Sequence, residues 1–299
     1  MASQKDIKSR IASVKNIQKI TRAMEMVSAA RLRRAEQRIE HLRPYARGIR
    51  MMTRRAVDAA EYIPGMPLLQ DREQVRRVGI VAVTGDRGLA GAFNSQIVRA
   101  GIRRRQELQA EGAEVLFYAA GRRGVSSLHF RGLEVEGEYV GFTDRPGFAN
   151  ARDIAQDVVA AYGDEKLDRV EIIFNHYVSP LVQNVENNVL LPIQQIEDVL
   201  QSEGEEAGED EHKHALWLYE PEPEEILRRL VTDYVEISVY RALLESTASE
   251  HGARMTAMRN ASENASELIE DYTLEMNRQR QAEITQEIME VVAGAEGLR

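Results

Sequence analysis

Three features of the sequence bear on chemistry. In Gly85-Asp86-Arg87-Gly88-Leu89-Ala90-Gly91, glycines recur directly after an apolar run. A glycine turn between a strand and a helix can cradle phosphate on the N–H groups that open the helix. The spacing here is G-x-x-G-x-x-G, however. It is neither G-x-G-x-x-G nor G-x-x-x-x-G-K-[ST], and no Lys-Ser/Thr follows. The stretch therefore reads as a tight connecting turn that presents the charge of Arg87 outward. Next, His212 and His214 follow six acids within residues 203–211. Two histidines without a further ligand cluster make a poor metal site. So acidic a segment cannot bury a core, and 201–214 reads as an exposed loop. Finally, the chain has no cysteine, which excludes a disulfide framework, a thiolate metal site and a thiol nucleophile. No G-x-S-x-G, H-E-x-x-H or acid pair stands out. Neither a catalytic residue nor a bound metal or cofactor is expected.

The elements around these stretches are better defined. Residues 3–60 hold one proline, Pro44, and one glycine, Gly48. Ile7, Ile11, Val14, Ile17, Ile20, Met24 and Val27 are spaced 4, 3, 3, 3, 4 and 3, one apolar stripe on a helix. Ser3 with Asp6 suits a helix start. Pro64-Gly65-Met66-Pro67 ends it. Strands are then expected at 77–83, 115–120, 169–178 and 185–193, helices at 93–111 and 149–162, and a turn at Gly121-Arg122-Arg123-Gly124. Strands alternating with helices indicate an α/β layer domain over 75–198.

From about Glu220 to Arg299 the pattern changes. After Pro221 and Pro223 there is no proline, and Leu230, Ile237, Leu244, His251, Met258 and Ala265 fall seven apart. A seven-residue period held this long describes a coiled-coil helix. Some 75 residues of helix would reach roughly 110 Å, far more than one domain needs. Polar seam residues such as Asp233, His251 and Arg254 either loosen the pairing or face partners.

Charge is divided unevenly. Residues 1–60 carry fifteen Lys and Arg against five Asp and Glu; residues 220–299 carry eight against seventeen. The two ends would attract each other side by side, or face different partners. A basic arm for nucleic acid is the sharp alternative, but residues 1–60 hold one aromatic, Tyr45, and no recognition motif. No run of 18 apolar residues is present, so no membrane-spanning helix is expected, and the first residues do not read as a signal peptide. The expected fold is α/β: a long antiparallel coiled coil of N- and C-terminal helices plus a Rossmann-like α/β domain. Its parts are a first helix over 1–62, the α/β domain over 75–198, an acidic loop and connector over 199–219, and the last helix over 220–299.

Nearly the whole chain resembles the γ subunits of F-type ATP synthases. The resemblance is carried by IASVKNIQKITRAMEMVSAARLRRAEQRI, TGDRGLAGAFNSQI, ALWLYEPEPEEIL and RQAEITQEIMEVVAGAEGL, in that order. Ile284-Thr285-Gln286-Glu287, Glu290 and Gly294-Ala295 match the family signature, and Gly297 departs from it at the last defined position. The resemblance implies a rotor shaft with no active site of its own. Its coiled coil would sit within a ring of three α and three β subunits, and its α/β domain would form a foot on the ε subunit and the membrane ring of c subunits. Proton flow would turn the shaft and drive each β subunit through its nucleotide states.

The resemblance also implies contacts. Met24 matches the position facing the acidic lever loop of β, and Arg87 and Arg254 match positions at or near that zone. Arg280, Gln281 and Thr285 match the contact with the catch loop of β, while Tyr219 and Glu220 match the c-ring end. Val291, Val292 and Ala293 suit either a bearing at the tip or a frayed helix end, and the rotor reading favours the bearing. No nucleic-acid partner is implied, and attachment to the membrane would be peripheral, through the c-ring. The absence of a transit peptide and of the cysteine-bearing regulatory insert of plant chloroplast forms favours the cytoplasmic face of a bacterial plasma membrane over an organelle membrane.

Overall fold

A computed structural model of the chain describes residues 4–59, 67–69, 72, 74–193 and 223–296. In order, the elements are helix α1 (Gln4–Ala59), a 3₁₀ turn (Pro67–Leu69), β1 (Arg77–Val83), α2 (Phe93–Ala110), β2 (Glu114–Ala120), α3 (Arg122–His129), β3 (Val135–Tyr139), α4 (Phe148–Gly163), β4 (Arg169–Tyr177), β5 (Gln183–Leu191) and α5 (Pro223–Glu296). Two compact units result: Met1–Ala30 with Arg254–Arg299, and Arg31–Ala253. The division falls inside both long helices, so each contributes to both units.

The first unit is an antiparallel helix pair. Gln18 Nε2 donates to Ser266 Oγ at 2.6 Å, and Arg259 Nε donates to Glu25 Oε1 at 3.0 Å. In this unit Ile7, Ile11, Val14, Gln18, Thr21, Glu25 and Ser28 of α1 are covered, alternately four and three apart, with Met24 half-buried beside them. This is the seam of a left-handed supercoil. The apolar stripe read from the sequence follows it through Val14 and then departs, for Ile17, Ile20 and Val27 are exposed. The stripe's spacing is tighter than 3.5, so it winds off the seam that a supercoiled pair must keep. Polar residues take the vacated positions because each finds a partner. Thr21 Oγ1 donates to the carbonyl of Gln18 (3.0 Å) and Ser28 Oγ to that of Met24 (2.7 Å).

In the second unit a five-stranded sheet has the order β3-β2-β1-β4-β5, with β5 antiparallel to β4 and all other pairs parallel. Strand alternation sorts its side chains onto two faces. Val81 and Val83 join Val170, Ile172 and Phe174 in a core covered by α4 and by Val235, Val239, Ala242 and Leu243 of α5. On the other face Val78, Ile80 and Ala82 pack with Ile97 and Leu108 of α2 and Val125 and Leu128 of α3. Further along α1, Ile49 packs with Leu230, Val231 and Ile237 of α5.

The seven-residue series of the last helix holds throughout: Leu230, Ile237, Leu244, His251, Met258 and Ala265 are all buried. Elsewhere the reading needs correction. Gly121–Gly124 is not simply a turn but opens α3, and β3 follows where the sequence shows no strand pattern. Both are too short to display a period. Gly121 is required as glycine, since it has φ +94° and an added Cβ would lie 2.3 Å from the carbonyl oxygen of Thr84. The acidic segment 201–214 with His212 and His214, and the capping candidate Ser3, lie outside the described residues.

Candidate functional site

From Ala242 to Gly252 every residue of α5 is buried. Yet the stretch Glu245-Ser246-Thr247-Ala248-Ser249-Glu250-His251-Gly252 is almost wholly polar. Doubly wound sheets bind their ligands beyond the carboxyl ends of the strands, where the strand order reverses. Here the order reverses between β1 and β4, because β2 and β3 step away on one side of β1 and β4 returns on the other. The β1–β4 pairing ends at Ala82 and Ile173. Beyond it α5 takes the place of a strand. Asn175 N donates to Ser246 Oγ at 3.2 Å, and Ser249 Oγ donates to Asn175 O at 3.1 Å.

Neighbouring loops close on the same stretch of helix. Thr247 Oγ1 donates to the carbonyl of Thr143 at 2.9 Å. A Cβ on Gly85 would meet the Glu250 carboxylate at 2.6–2.7 Å and push it aside, so the glycine lets this carboxylate sit against the turn. Gly252 lies under the backbone of Pro180. The crevice that would hold a nucleotide in such a sheet is filled by the protein's own helix.

The glycine turn is likewise engaged internally. Gly85 N donates to Asn94 Oδ1 (2.8 Å) and Asp86 N to Thr143 Oγ1 (2.7 Å). The Asp86 carboxylate accepts from the N–H groups of Arg122, Gly141 and Thr143 at 2.9–3.0 Å. Burial alone would raise its pKa, but these donors together with the Thr143 hydroxyl outweigh burial and hold it below the usual value. The turn thus organises the start of α3 and the loop after β3 around one carboxylate. Its reading as a connecting turn agrees with this geometry.

Two charged clusters flank the filled crevice. The Asp144 carboxylate receives Arg31 Nη1 at 2.5 Å and Arg87 Nε at 3.4 Å, and Arg87 itself remains 64% exposed. At the end of β4, His176 Nδ1 lies 2.5 Å from Glu245 Oε2, and Arg241 Nε donates to Glu245 Oε1 at 2.7 Å. The hydrogen bond to Glu245 raises the His176 pKa against the opposing effect of burial. Burial pushes Glu245 up, but His176 and Arg241 more than reverse that. The Tyr177 hydroxyl donates to Glu36 Oε1 at 2.5 Å. A cleft of about 630 Å³ beside this cluster is lined by Glu36, Glu40, Arg43, His176, Tyr177 and Glu245, among others.

The residues singled out from the sequence are distributed along the helices. Met24 is half-buried on α1, and Arg87 is exposed on its turn. Arg254 is only 6% exposed, so its own chain covers most of it. Arg280, Gln281 and Thr285 are exposed, and Thr285 Oγ1 donates back to the carbonyl of Gln281 at 2.8 Å. Val291, Val292 and Ala293 are exposed at the end of α5, where every residue from Ile284 to Ala293 is exposed. Tyr219 and Glu220 lie outside the described residues. Sequence reasoning missed the junction itself, Asn175–Tyr177 with Glu245–Gly252. Its signal was a run of small polar residues ending in glycine inside a helix otherwise built on an apolar period. Among the described residues no group of His, Asp and Glu is arranged for a metal ion, and no helix is long and apolar enough to cross a membrane.

Comparison with known proteins places this architecture. A cryo-EM structure of the central stalk and c-ring of the Tetrahymena thermophila mitochondrial ATP synthase matches with a TM-score of 0.60 at 28% identity, covering 81% of this chain and 99% of the other. A Euglena gracilis mitochondrial ATP synthase chain matches with a TM-score of 0.64 over 99% of this chain and 94% of its own, and at 17% identity shows the shared fold. ATP synthase gamma chains of Rubrobacter xylanophilus and Desulfitobacterium hafniense are 44% and 41% identical over 299 residues, covering all of this chain and 99% and 100% of theirs. The ATP synthase family profile matches residues 3–298. Two long helices closed on a doubly wound sheet, matched end to end at this identity, mean that the chain belongs to the ATP synthase gamma-chain family.

Proposed function

We propose that the chain is the central rotor shaft of an F-type ATP synthase, a non-catalytic subunit that couples proton flow through the c-ring to ATP synthesis and hydrolysis at the β subunits. The observation that carries this reading is the full-length kinship with gamma chains, joined to a helix pair whose longer member is exposed at every residue from Ile284 to Ala293. A shaft must be stiff, and two helices sharing a supercoiled seam resist bending better than one. It must also turn without locking. Small and aliphatic residues such as Val291, Val292 and Ala293 create shallower wells against a surrounding sleeve than large anchored side chains would.

The complex is membrane-associated; the finer placement is the cytoplasmic face of a bacterial plasma membrane, supported by the bacterial relatives. The partners are the α and β subunits of the head, the ε subunit and the c-ring. Met24, Arg87, Arg280, Gln281 and Thr285 contact β directly. Arg254 supports that zone mostly from beneath the surface, given its burial. Tyr219 and Glu220 serve the c-ring end. The filled crevice argues against nucleotide binding by this subunit itself, so equilibrium dialysis of the chain with ATP should detect none.

The decisive experiment is reconstitution of the complex with and without this chain. ATP-driven proton pumping should require it. Met24→Lys places a like charge near Arg22 and a new attraction to an acidic lever, so ATP synthesis should fall while the complex still assembles. Normal synthesis by that variant would remove Met24 from the contact.

A further inference from the structure

We propose that the last three residues of β4, Asn175-His176-Tyr177, form a clasp that carries torque between the sheet domain and both long helices. This rests on the rotor reading above. Torque passed from a domain to a helix acts at their junction as shear. Apolar contacts have no preferred direction and resist sliding weakly, whereas hydrogen bonds have directional geometry. Along most of its contact with the sheet α5 is held by apolar packing through Val235, Val239, Ala242 and Leu243. At the end of β4 the character of the contact changes.

Three consecutive residues there each hold a helix. Asn175 is bound to α5 at both backbone groups, through Ser246 and Ser249. His176 meets Glu245 on the same helix, and Glu245 is braced from behind by Arg241. Tyr177 donates its hydroxyl to Glu36 on α1. The contacts to Glu245 and Glu36 involve carboxylates and are of the stronger, charge-assisted kind. Other ties of this part of α1 run through long arginine side chains, from Arg31 to Asp144 and from Arg38 to the carbonyl of Pro146. Tyr177 makes its tie with a rigid ring, which yields less under load. Glu36, His176, Tyr177 and Glu245 all line the cleft, so the clasp borders open space and is not enclosed by core.

The test uses the assembled complex in vesicles, with ATP hydrolysis and ATP-driven proton uptake measured together. Tyr177→Phe keeps the ring and removes one hydroxyl; the triple variant adds His176→Ala and Ser249→Ala. We expect hydrolysis to persist and protons taken up per ATP to fall about two-fold or more in the triple variant, with a smaller fall for Tyr177→Phe. An unchanged ratio in both variants overturns the clasp, even if their melting temperatures drop, because that result marks a purely stabilising role. Should the triple variant fail to assemble, the ratio for Tyr177→Phe decides alone. A wild-type complex that hydrolysed ATP without pumping would instead overturn the rotor reading, so the two failures are separable.

Discussion

Glu171 lies within β4 with 1% of its side chain exposed, and it is held as a charge. Arg104 donates to both of its oxygens at 2.8 Å and Asn187 Nδ2 adds a third bond at 2.7 Å. Burial raises its pKa, but Arg104 and Asn187 outweigh burial, so the folded value lies below the ordinary 4.5. A depressed carboxyl contributes stability that is present above its unfolded pKa and lost as pH falls through the folded value. Arg104→Ala leaves this buried charge only Asn187 and the more distant Arg169, 3.9 Å away, and should cost about 3 kcal/mol at neutral pH. Chemical denaturation should show that cost shrinking in acid, where a protonated Glu171 needs no counter-charge. His176 has the opposite sign. Its pKa is raised, so its tie to Glu245 is fully present below about pH 6.5 and is lost as pH rises through the folded value. The groups around it are Glu245 and Arg241 of α5, Glu186 of β5, and Glu36, Glu40 and Arg43 of α1 across the cleft. The difference in melting temperature between wild type and His176→Ala should therefore be wider near about pH 6 than near about pH 9.

At the scale of elements, the helix pair keeps a heptad seam at the expense of apolarity. Gln18 and Ser266 face each other where two aliphatic residues would pack more simply. Ser266→Ala alone should destabilise the pair by about 1 kcal/mol by leaving the Gln18 amide short of a partner, and adding Gln18→Leu should recover most of that loss. A double-mutant cycle followed by thermal melting checks this. The seven-residue series of α5 was legible in the sequence because a period survives whatever the seam packs against. The apolar stripe of α1 was only partly legible. Ile17, Ile20 and Val27 satisfy a helical spacing but not the 3.5 spacing of a supercoil, and which face is covered depends on the partner helix. The short elements α3 and β3 went unread because each holds too few apolar residues to betray a period.

For the whole molecule, the exposed end of α5 makes the clearest prediction. Every residue from Ile284 to Ala293 is exposed, so this segment adds little to the fold of its own chain. Truncation after Ala293 should leave the melting temperature of the chain unchanged. If the end is a bearing, rotation measured by ATP-driven proton pumping should also persist; loss of pumping would mean that the end locks. The ion pair of Arg259 with Glu25 runs against the charge division, because the acidic last helix supplies its cation and the basic first helix its anion. Much of the basic surface of α1 remains exposed, including Lys5, Lys8, Lys15, Lys19 and Arg22, and is available to an acidic partner.

By itself, the sequence determined the class of the protein: two long helices about an α/β domain, a turn unsuited to phosphate, and the motifs of gamma chains. Local spacing and motif order carry that information, and they need no knowledge of distant contacts. The tertiary structure alone decided what the polar run Glu245–Gly252 does. Serine, glutamate and histidine inside a helix look the same to local inspection whether they meet water, a partner or a sheet edge. Here the β1–β4 pairing ends at Ile173, so Asn175, paired with β5 on one side, has no strand on its other side, and Ser246 and Ser249 supply what that strand would have given. A buried hydrogen bond needs both partners, and Asn175, the partner of Ser246 and Ser249, lies 71 and 74 positions away from them in the chain.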